Sequence, residues 1–354
     1  MVCGKKRILF VLPQLVSAGS ERVVLDIVKR LDINKYELYL VAFESGVLEC
    51  SFRDFCEEVY IIKKKSNIDI TLMIKISKII KIHNIDVVNV HHYMPCFYSY
   101  LGSSIFQRKR FIYTEHSVPE VTAVALGKHK FILGLMLNRI NFVIGVSQEI
   151  TDTFRKYYPK HEKKFKKIVN GVDLDKFCCP QKRVPTRKIF DFQPENFVVG
   201  MVANFRKVKN HACLIRAVNQ LRYDMPQLRV LLVGTGFEGD TENSEKDIRL
   251  LVDQFSLNDK VVFAGYQSDI PAMLSSMDCF CLPSFSEGLP VSVLEAMAAG
   301  LVVIGSDVSG IKEVIDSGVT GFLFPSNDDK ELAQTLLKLD NKSIKQKILS
   351  EVKK

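Results

Sequence analysis

The 354-residue sequence contains no C-x-x-C pair, no apolar run of membrane-spanning length and no basic segment interleaved with aromatics. The first absence removes the usual signature of a zinc site or disulfide framework. The nine cysteines are odd in number and scattered, Cys178 beside Cys179 and Cys279 two before Cys281. Such usage reads as reduced thiols of a cytosolic compartment, most of them small buried hydrophobes. The second absence leaves no transmembrane candidate, which needs roughly 18 apolar residues; the nearest approach, 131–146, is broken by Asn138, Arg139 and Asn141. The third sets nucleic acid aside as a partner. What is present is the balance of a folded soluble chain, 47% hydrophobic and 25% charged, at a length that suits two domains.

Charge is uneven. Residues 1–180 hold 28 lysines and arginines against 18 acidic residues, a balance of +10, whereas the remainder stands at −1. A basic first half suits an anionic partner such as a membrane surface or a lipid phosphate. At the amino end, Lys5, Lys6 and Arg7 precede the apolar run Ile8–Leu12, and Val16-Ser17-Ala18 looks like a cleavage site. Pro13 and Gln14 interrupt that run, so a buried first strand followed by a glycine turn is the preferred reading over a secretory leader.

Short apolar runs rich in β-branched residues alternate with helical patterns, which predicts a parallel α/β architecture. In the first half, strands are expected at 7–12, 36–43, 59–62, 87–90, 111–114, 142–145 and 167–169. Helices are expected between them, as at 21–31 and 70–83. A polar stretch from Cys178 to Asn196 carries Pro180, Pro185 and Pro194 and reads as a linker. Strands then resume at 198–202, 229–233, 261–264, 279–282, 302–306 and 321–324. The expected domains are therefore 1–177 and 197–354, two doubly wound Rossmann-like units facing a cleft, with ligands outside the carboxyl ends of the strands. Ile344, Ile348 and Val352 stand at helical spacing and predict a last helix.

The segment richest in chemistry runs from Pro283 to Gly300, with Glu287 before a predicted helix and Glu295 inside it. Pro290 suits the helix start and Gly300 its end. The N–H groups around Gly288–Val291, a stretch that holds Gly288, Leu289 and Pro290, are expected to make a site for an anion such as a diphosphate. At ~1.5 Å of rise per helical residue the two carboxylates are spread along a ligand. A hydrolase pair flanking one glycosidic bond needs a different arrangement.

This Glu-x7-Glu pattern, embedded in S-E-G-L-P-V-S-V-L-E-A-M-A-A-G, resembles the donor site of the family 4 retaining glycosyltransferases of GT-B fold. The resemblance implies that Glu287 contacts the donor sugar and Glu295 the ribose. The basic turn Asn204–His211 is similar to the one with which that family clamps the departing diphosphate, implying such roles for Lys209 and Arg206. Fixed cations of this kind can replace a metal. Asp173-Leu174-Asp175 mimics a D-x-D metal motif, but its setting in N-G-V-D…F matches the family's turn, and no catalytic metal is expected. Gly19, in Ala18-Gly19-Ser20, looks like the family's glycine loop. His116, in Thr114-Glu115-His116, matches its histidine near the sugar; Glu115 receives no role.

Gly234-Thr235-Gly236-Phe237-Glu238-Gly239 satisfies the dinucleotide pattern G-x-G-x-x-G. It follows the second strand of its domain and lacks the acidic residue about twenty positions on. An oxidoreductase is thereby disfavoured, and Gly234 and Gly236 fall where the family has a loop near the nucleotide; Tyr266 falls where it meets the base. The resemblance covers roughly residues 7–330 and implies transfer of a sugar from a UDP- or GDP-linked donor to an acceptor hydroxyl, in polysaccharide or glycolipid assembly. No separate cofactor is expected. The expected partners are the nucleotide sugar, a carbohydrate or lipid-linked acceptor and an anionic membrane surface, with the protein cytoplasmic or peripheral on the inner face of the membrane. A nucleotide-sugar 2-epimerase and a non-catalytic nucleotide-sugar-binding module are the alternatives.

Overall fold

A computed structural model describes residues 4–339, apart from 66–68, 105–108, 119–121, 123, 125, 128 and 238, together with residues 348 and 350. It comprises two compact units, Met1–Asn170 and Gly171–Lys354. In the first, strands β1 (Lys6–Leu12), β2 (Tyr36–Ala42), β3 (Glu58–Ile61), β4 (Val87–His91), β5 (Arg110–Glu115), β6 (Phe142–Gly145) and β7 (Phe165–Lys167) form one sheet in the order β3-β2-β1-β4-β5-β6-β7. Every pairing is parallel. Helices cover both faces of such sheets, so strands read as near-continuous apolar runs; Leu9 to Leu12 are at most 1% exposed. The direction of winding reverses between β1 and β4, which places the loops after β1, β4 and β5 at the switch point.

The second unit repeats the plan with β8 (Phe197–Val202), β9 (Leu228–Val233), β10 (Val261–Gly265), β11 (Cys279–Leu282), β12 (Val302–Ser306) and β13 (Gly321–Phe324), in the order β10-β9-β8-β11-β12-β13. Here the reversal lies between β8 and β11. The basic turn after β8 and the Glu287 loop after β11 therefore flank one switch point.

Three expectations need correction. The last strand of the first sheet lies two residues earlier than predicted: Phe165, 3% exposed, is the buried residue, whereas Ile168 and Val169 are more than half exposed. The stretch 178–196 is helical over Pro180–Lys182 and Arg183–Ile189 and is anchored in the second unit. Arg183 donates to the Ser275 and Met277 carbonyls at 3.1 and 2.6 Å and to Asp278 at 2.7 Å; Arg187 donates to the Ser276 carbonyl at 2.9 Å and also pairs with Asp278. Pro180 and Pro185 stand in first turns, where a missing N–H is tolerated. The units accordingly divide at Asn170/Gly171 and not after residue 177, since Phe177 is buried in the second core. Of the predicted final helix, Ile348 is helical and 2% exposed, while Ile344 and Val352 lie outside the described residues.

Candidate functional site

In the second unit, β11 delivers the chain into a loop held from several sides. The Ser284 hydroxyl donates to Glu287 Oε1 at 2.6 Å, and Lys209 Nζ reaches the same oxygen at 2.6 Å. The Ser284 carbonyl accepts the Ser306 hydroxyl from β12, and the Phe285 N–H donates to the Val208 carbonyl at 2.8 Å. The loop after β11 is thus pinned to the turn after β8. The helix Val291–Ala298 follows, with Pro290 at its N-cap and no side-chain cap on its first N–H groups. Such an end carries partial positive charge and unpaired donors. Gly288, Leu289 and Pro290 are buried beneath it, and Glu295 is 7% exposed inside the helix.

The turn after β8 owes its shape to a residue pair. Asn210 takes the left-handed conformation at φ +51°, which asparagine tolerates, and His211 stacks on Phe205 with centroids 4.3 Å apart. Burial first, then the charge of Lys209, pushes the His211 imidazole down to about 3, so it is a neutral packing group. Lys209 is thereby directed at Glu287. Arg206 is not: its Nε lies 3.0 Å from Asp240, in the loop after β9. The sequence grouped Arg206 with Lys209, and the structure pairs them with different carboxylates.

The other predicted positions lie at the same edge of the sheet. Gly234 has φ +139°, and a Cβ there would lie 2.1 Å from the Ala203 carbonyl oxygen, so the loops after β8 and β9 touch because it is glycine. The Gly236 N–H donates to Glu245 at 2.8 Å. Tyr266, after β10, is 46% exposed. Asp173 of the D-x-D look-alike caps the helix Leu174–Phe177 by accepting the Lys176 N–H at 3.3 Å. Sequence reasoning missed Gly310: a Cβ there would lie 2.3 Å from the Gly288 carbonyl oxygen and 2.5 Å from that of Glu287. The signal was a glycine one residue into the short helix after β12.

In the first unit, Gly19 opens the helix Gly19–Arg30 after β1, and His116 follows β5. His116 Nε2 lies 2.9 Å from Nδ1 of His91, at the end of β4, and the two rings stack. Burial pushes His91 down to about 3 and His116 well below the usual histidine range, helped at His116 by the neighbouring His91 and His92. Both rings are neutral at physiological pH. Glu115, fully buried, accepts the backbone N–H of His116 at 2.7 Å and of Ser117 at 3.0 Å, and the Tyr113 hydroxyl at 2.5 Å. The role-less glutamate of the sequence thus shapes the His116 turn. Among the described residues no cluster of three His, Cys, Asp or Glu has the arrangement of a metal site.

Residues 17–176 match the family described as Glycosyltransferase Family 4, and residues 183–354 match Glycosyl transferases group 1. The chain is 26% identical over 276 residues to the N-acetyl-alpha-D-glucosaminyl L-malate synthase of Bacillus anthracis, covering 77% of this chain and 69% of that one. It is 25% identical over 344 residues to the UDP-Gal:alpha-D-GlcNAc-diphosphoundecaprenol alpha-1,3-galactosyltransferase of Escherichia coli, covering 92% and 86%. Among solved structures it superposes on Anabaena HepE, crystallised with UDP and glucose, with a TM-score of 0.85 at 22% identity, over 98% of this chain and 93% of that one. That likeness establishes the fold as GT-B.

Proposed function

Because the chain belongs to the family 4, group 1 glycosyltransferases, we propose that it transfers a sugar from a nucleotide diphosphate to an acceptor hydroxyl, with retention of configuration and without a metal. The assembly of a polysaccharide or glycolipid is the setting that its relatives support, one of them acting on a diphosphoundecaprenol-linked sugar.

The observation that carries this reading is the Lys209–Glu287 ion pair beside the uncapped helix start. A cation and a carboxylate paired beside a helix start are suited to separate onto the two ends of a donor. Lys209 would take the diphosphate together with the N–H groups at Gly288–Val291, and Glu287 the sugar hydroxyls. Arg206, drawn from Asp240, would add a second cation to the leaving group, and Glu295 would hold the ribose. Fixed charges of this kind stabilise a departing diphosphate without reorganisation, which is the basis for proposing metal independence. Gly234, Gly236 and Tyr266 lie on the loops assigned to the nucleotide, and Gly19 and His116 on those assigned to the reacting end. The donor would be UDP- or GDP-linked; HepE, of the same fold, was crystallised with UDP.

A panel of nucleotide sugars, assayed for nucleoside diphosphate release with and without acceptor, tests the proposal. Turnover by the wild type and its loss in Lys209→Ala support it. Product formed without acceptor and with an inverted sugar C2 would indicate a 2-epimerase, and binding without turnover a non-catalytic module.

We further propose that the first unit rests on an anionic membrane on the cytoplasmic side, where a lipid-linked acceptor would be presented. No helix among the described residues is long and apolar enough to cross a membrane. The helix Ile70–Ile82 instead exposes Ile70, Ile74 and Ile82 alongside the exposed Lys75, Lys78 and Lys81, and the helix Lys130–Arg139 exposes Phe131 at 75% and Leu135 at 48%. Apolar side chains flanked by lysines suit an interfacial surface. Sedimentation with liposomes that responds neither to anionic lipid content nor to salt would remove this part of the proposal.

A further inference from the structure

At the switch point of the first sheet, the loops after β1, β4 and β5 are joined through buried ionisable groups. Ser20 Oγ lies 2.8 Å from Glu21 Oε2 and 3.1 Å from His92 Nε2. On its other side, His92 Nδ1 lies 3.5 Å from Glu115 Oε1. Glu21 and Glu115 are 1% and 0% exposed, while the His92 side chain keeps 20% of its surface. The His92 backbone takes φ +69°, a left-handed conformation unusual for histidine, and its N–H donates to the Thr114 carbonyl of β5 at 3.0 Å. Strained backbone held by its surroundings is a reason to look for a role.

Counting protons limits what this chain of groups can be. Serine has one hydroxyl proton. If Ser20 gives it to Glu21, then His92 Nε2 must carry a proton to donate to Ser20. Nδ1, facing a buried carboxylate, is favoured in its N–H form as well, and the ring is an imidazolium. If the proton resides on Glu21, Glu21 donates to Ser20, Ser20 to Nε2, and Nδ1–H again faces Glu115. The two arrangements contain the same number of protons and differ by a shift along Ser20.

We propose that His92 is a positioning residue of the transfer site: with Glu21 it holds one proton, shared through Ser20, that locks the glycine loop after β1 to the His116 turn after β5. The shared proton offsets one of two buried carboxylates, and leaving both uncompensated is strongly unfavourable. The groups facing His92 include Ser20 and Glu21 from the first helix, Glu115 and His116 from the end of β5, and His91 before it. His91 and His116 are both held neutral, chiefly by burial, so the positive charge is confined to His92 and its partner. Burial also raises the Glu21 carboxyl, an effect partly offset by Ser20, which favours sharing. Glu21 and His92 titrate as a pair, above the ordinary histidine value because two carboxylates flank one ring. The locked arrangement is accordingly present below the pair's pKa and lost as pH rises through it.

Nitrogen-15 NMR of the histidine rings in the full chain, between about pH 5 and pH 9, tests this directly, with the His92 signals identified by their absence in His92→Gln. Nε2 of His92, the nitrogen facing Ser20, should titrate with a midpoint above the ordinary histidine value while Nδ1 keeps its proton throughout, and Glu21→Gln should lower that midpoint by about 1–3 pH units. An Nε2 midpoint at or below the ordinary value, or an unchanged midpoint in Glu21→Gln, overturns the proposal. This arm does not depend on the glycosyl-transfer reading. The kinetic arm rests on that reading: His92→Asn suits the left-handed backbone and keeps an N–H toward Glu115 but cannot titrate. It should lower kcat roughly ten- to a hundredfold, leave the donor KM unchanged and flatten the alkaline fall in rate. Wild-type kcat and pH profile in that variant overturn a positioning role. Absence of turnover in the wild type itself would count against the transfer reading, with the NMR midpoints still deciding the proton-sharing.

Discussion

Replacing Lys209 by alanine removes the ammonium 2.6 Å from Glu287 Oε1 and leaves a carboxylate, 9% exposed, beside the Ser284 hydroxyl. Both partners of the ion pair are less than one quarter exposed, so solvent screens them weakly. A hydrogen bond to a charged group contributes about 1.5–3 kcal/mol, and the second unit should lose about that much stability. The effect on catalysis has a separate origin. If Lys209 neutralises the leaving diphosphate, its removal resembles loss of one oxyanion donor, about 10²–10³ in kcat or about 2.7–4 kcal/mol. The two effects separate in the double variant Lys209→Ala with Glu287→Gln. With no unpaired charge left behind, stability should recover most of the loss, whereas kcat should stay as low as in the single variant or fall further. Urea unfolding gives the first quantity and nucleoside diphosphate release at saturating donor the second. A folded Lys209→Ala enzyme that keeps kcat within about fivefold of wild type would fall well short of the expected range. It would show that the leaving group is stabilised elsewhere.

Three further outcomes follow from the same geometry. Gly310→Ala should force the Glu287–Gly288 backbone away from the helix Ser309–Lys312, destabilising the second unit by about 1–3 kcal/mol and raising the donor KM, as thermal unfolding and initial rates would show. Asp278→Ala leaves Arg187, whose side chain is 8% exposed, without its carboxylate and should cost about 3–5 kcal/mol in urea unfolding. His211 is neutral in the folded protein, its pKa pushed from the usual 6.5 down to about 3. The unfolded chain therefore binds the extra proton over that interval, and stability falls as pH drops from the unfolded value toward the folded one. The slope from this group is about 1.4 kcal/mol per pH unit; His211→Phe should remove that contribution from urea midpoints measured across the interval.

The parallel strands were the most legible part of the chain, because burial on both faces writes them as apolar runs bounded by polar turns. Cys279–Leu282, Val302–Ser306 and Gly321–Phe324 begin and end where the sequence places them. The strand β7 was displaced because Ile168 and Val169 look like strand interior yet face solvent. The segment 178–196 was misread for a different reason. Its helices are too short for periodicity to register, and what fixes them is two arginines reaching carbonyls about ninety residues away. In the second unit the motif residues could be named, but not their pairing. Nothing local says that Lys209 rather than Arg206 reaches Glu287, 78 positions on. In the first unit the His91-His92 doublet had no visible partner, because its neighbours depend on β1, β4 and β5 lying side by side. A histidine pair closing a strand at the point where the sheet reverses is the signal that could have been used.

The anchoring of residues 178–196 bears on how such enzymes can be cut and recombined. A fragment begun at the first strand of the second sheet would discard Arg183 and Arg187. The carbonyls of Ser275, Ser276 and Met277 would lose their guanidinium donors, and Asp278 both of its cations. A crossover placed near Gly171 keeps these contacts within one parental sequence. Chimeras that exchange the second unit between relatives should therefore be joined there, even though the polar, proline-bearing stretch that follows looks like the natural seam.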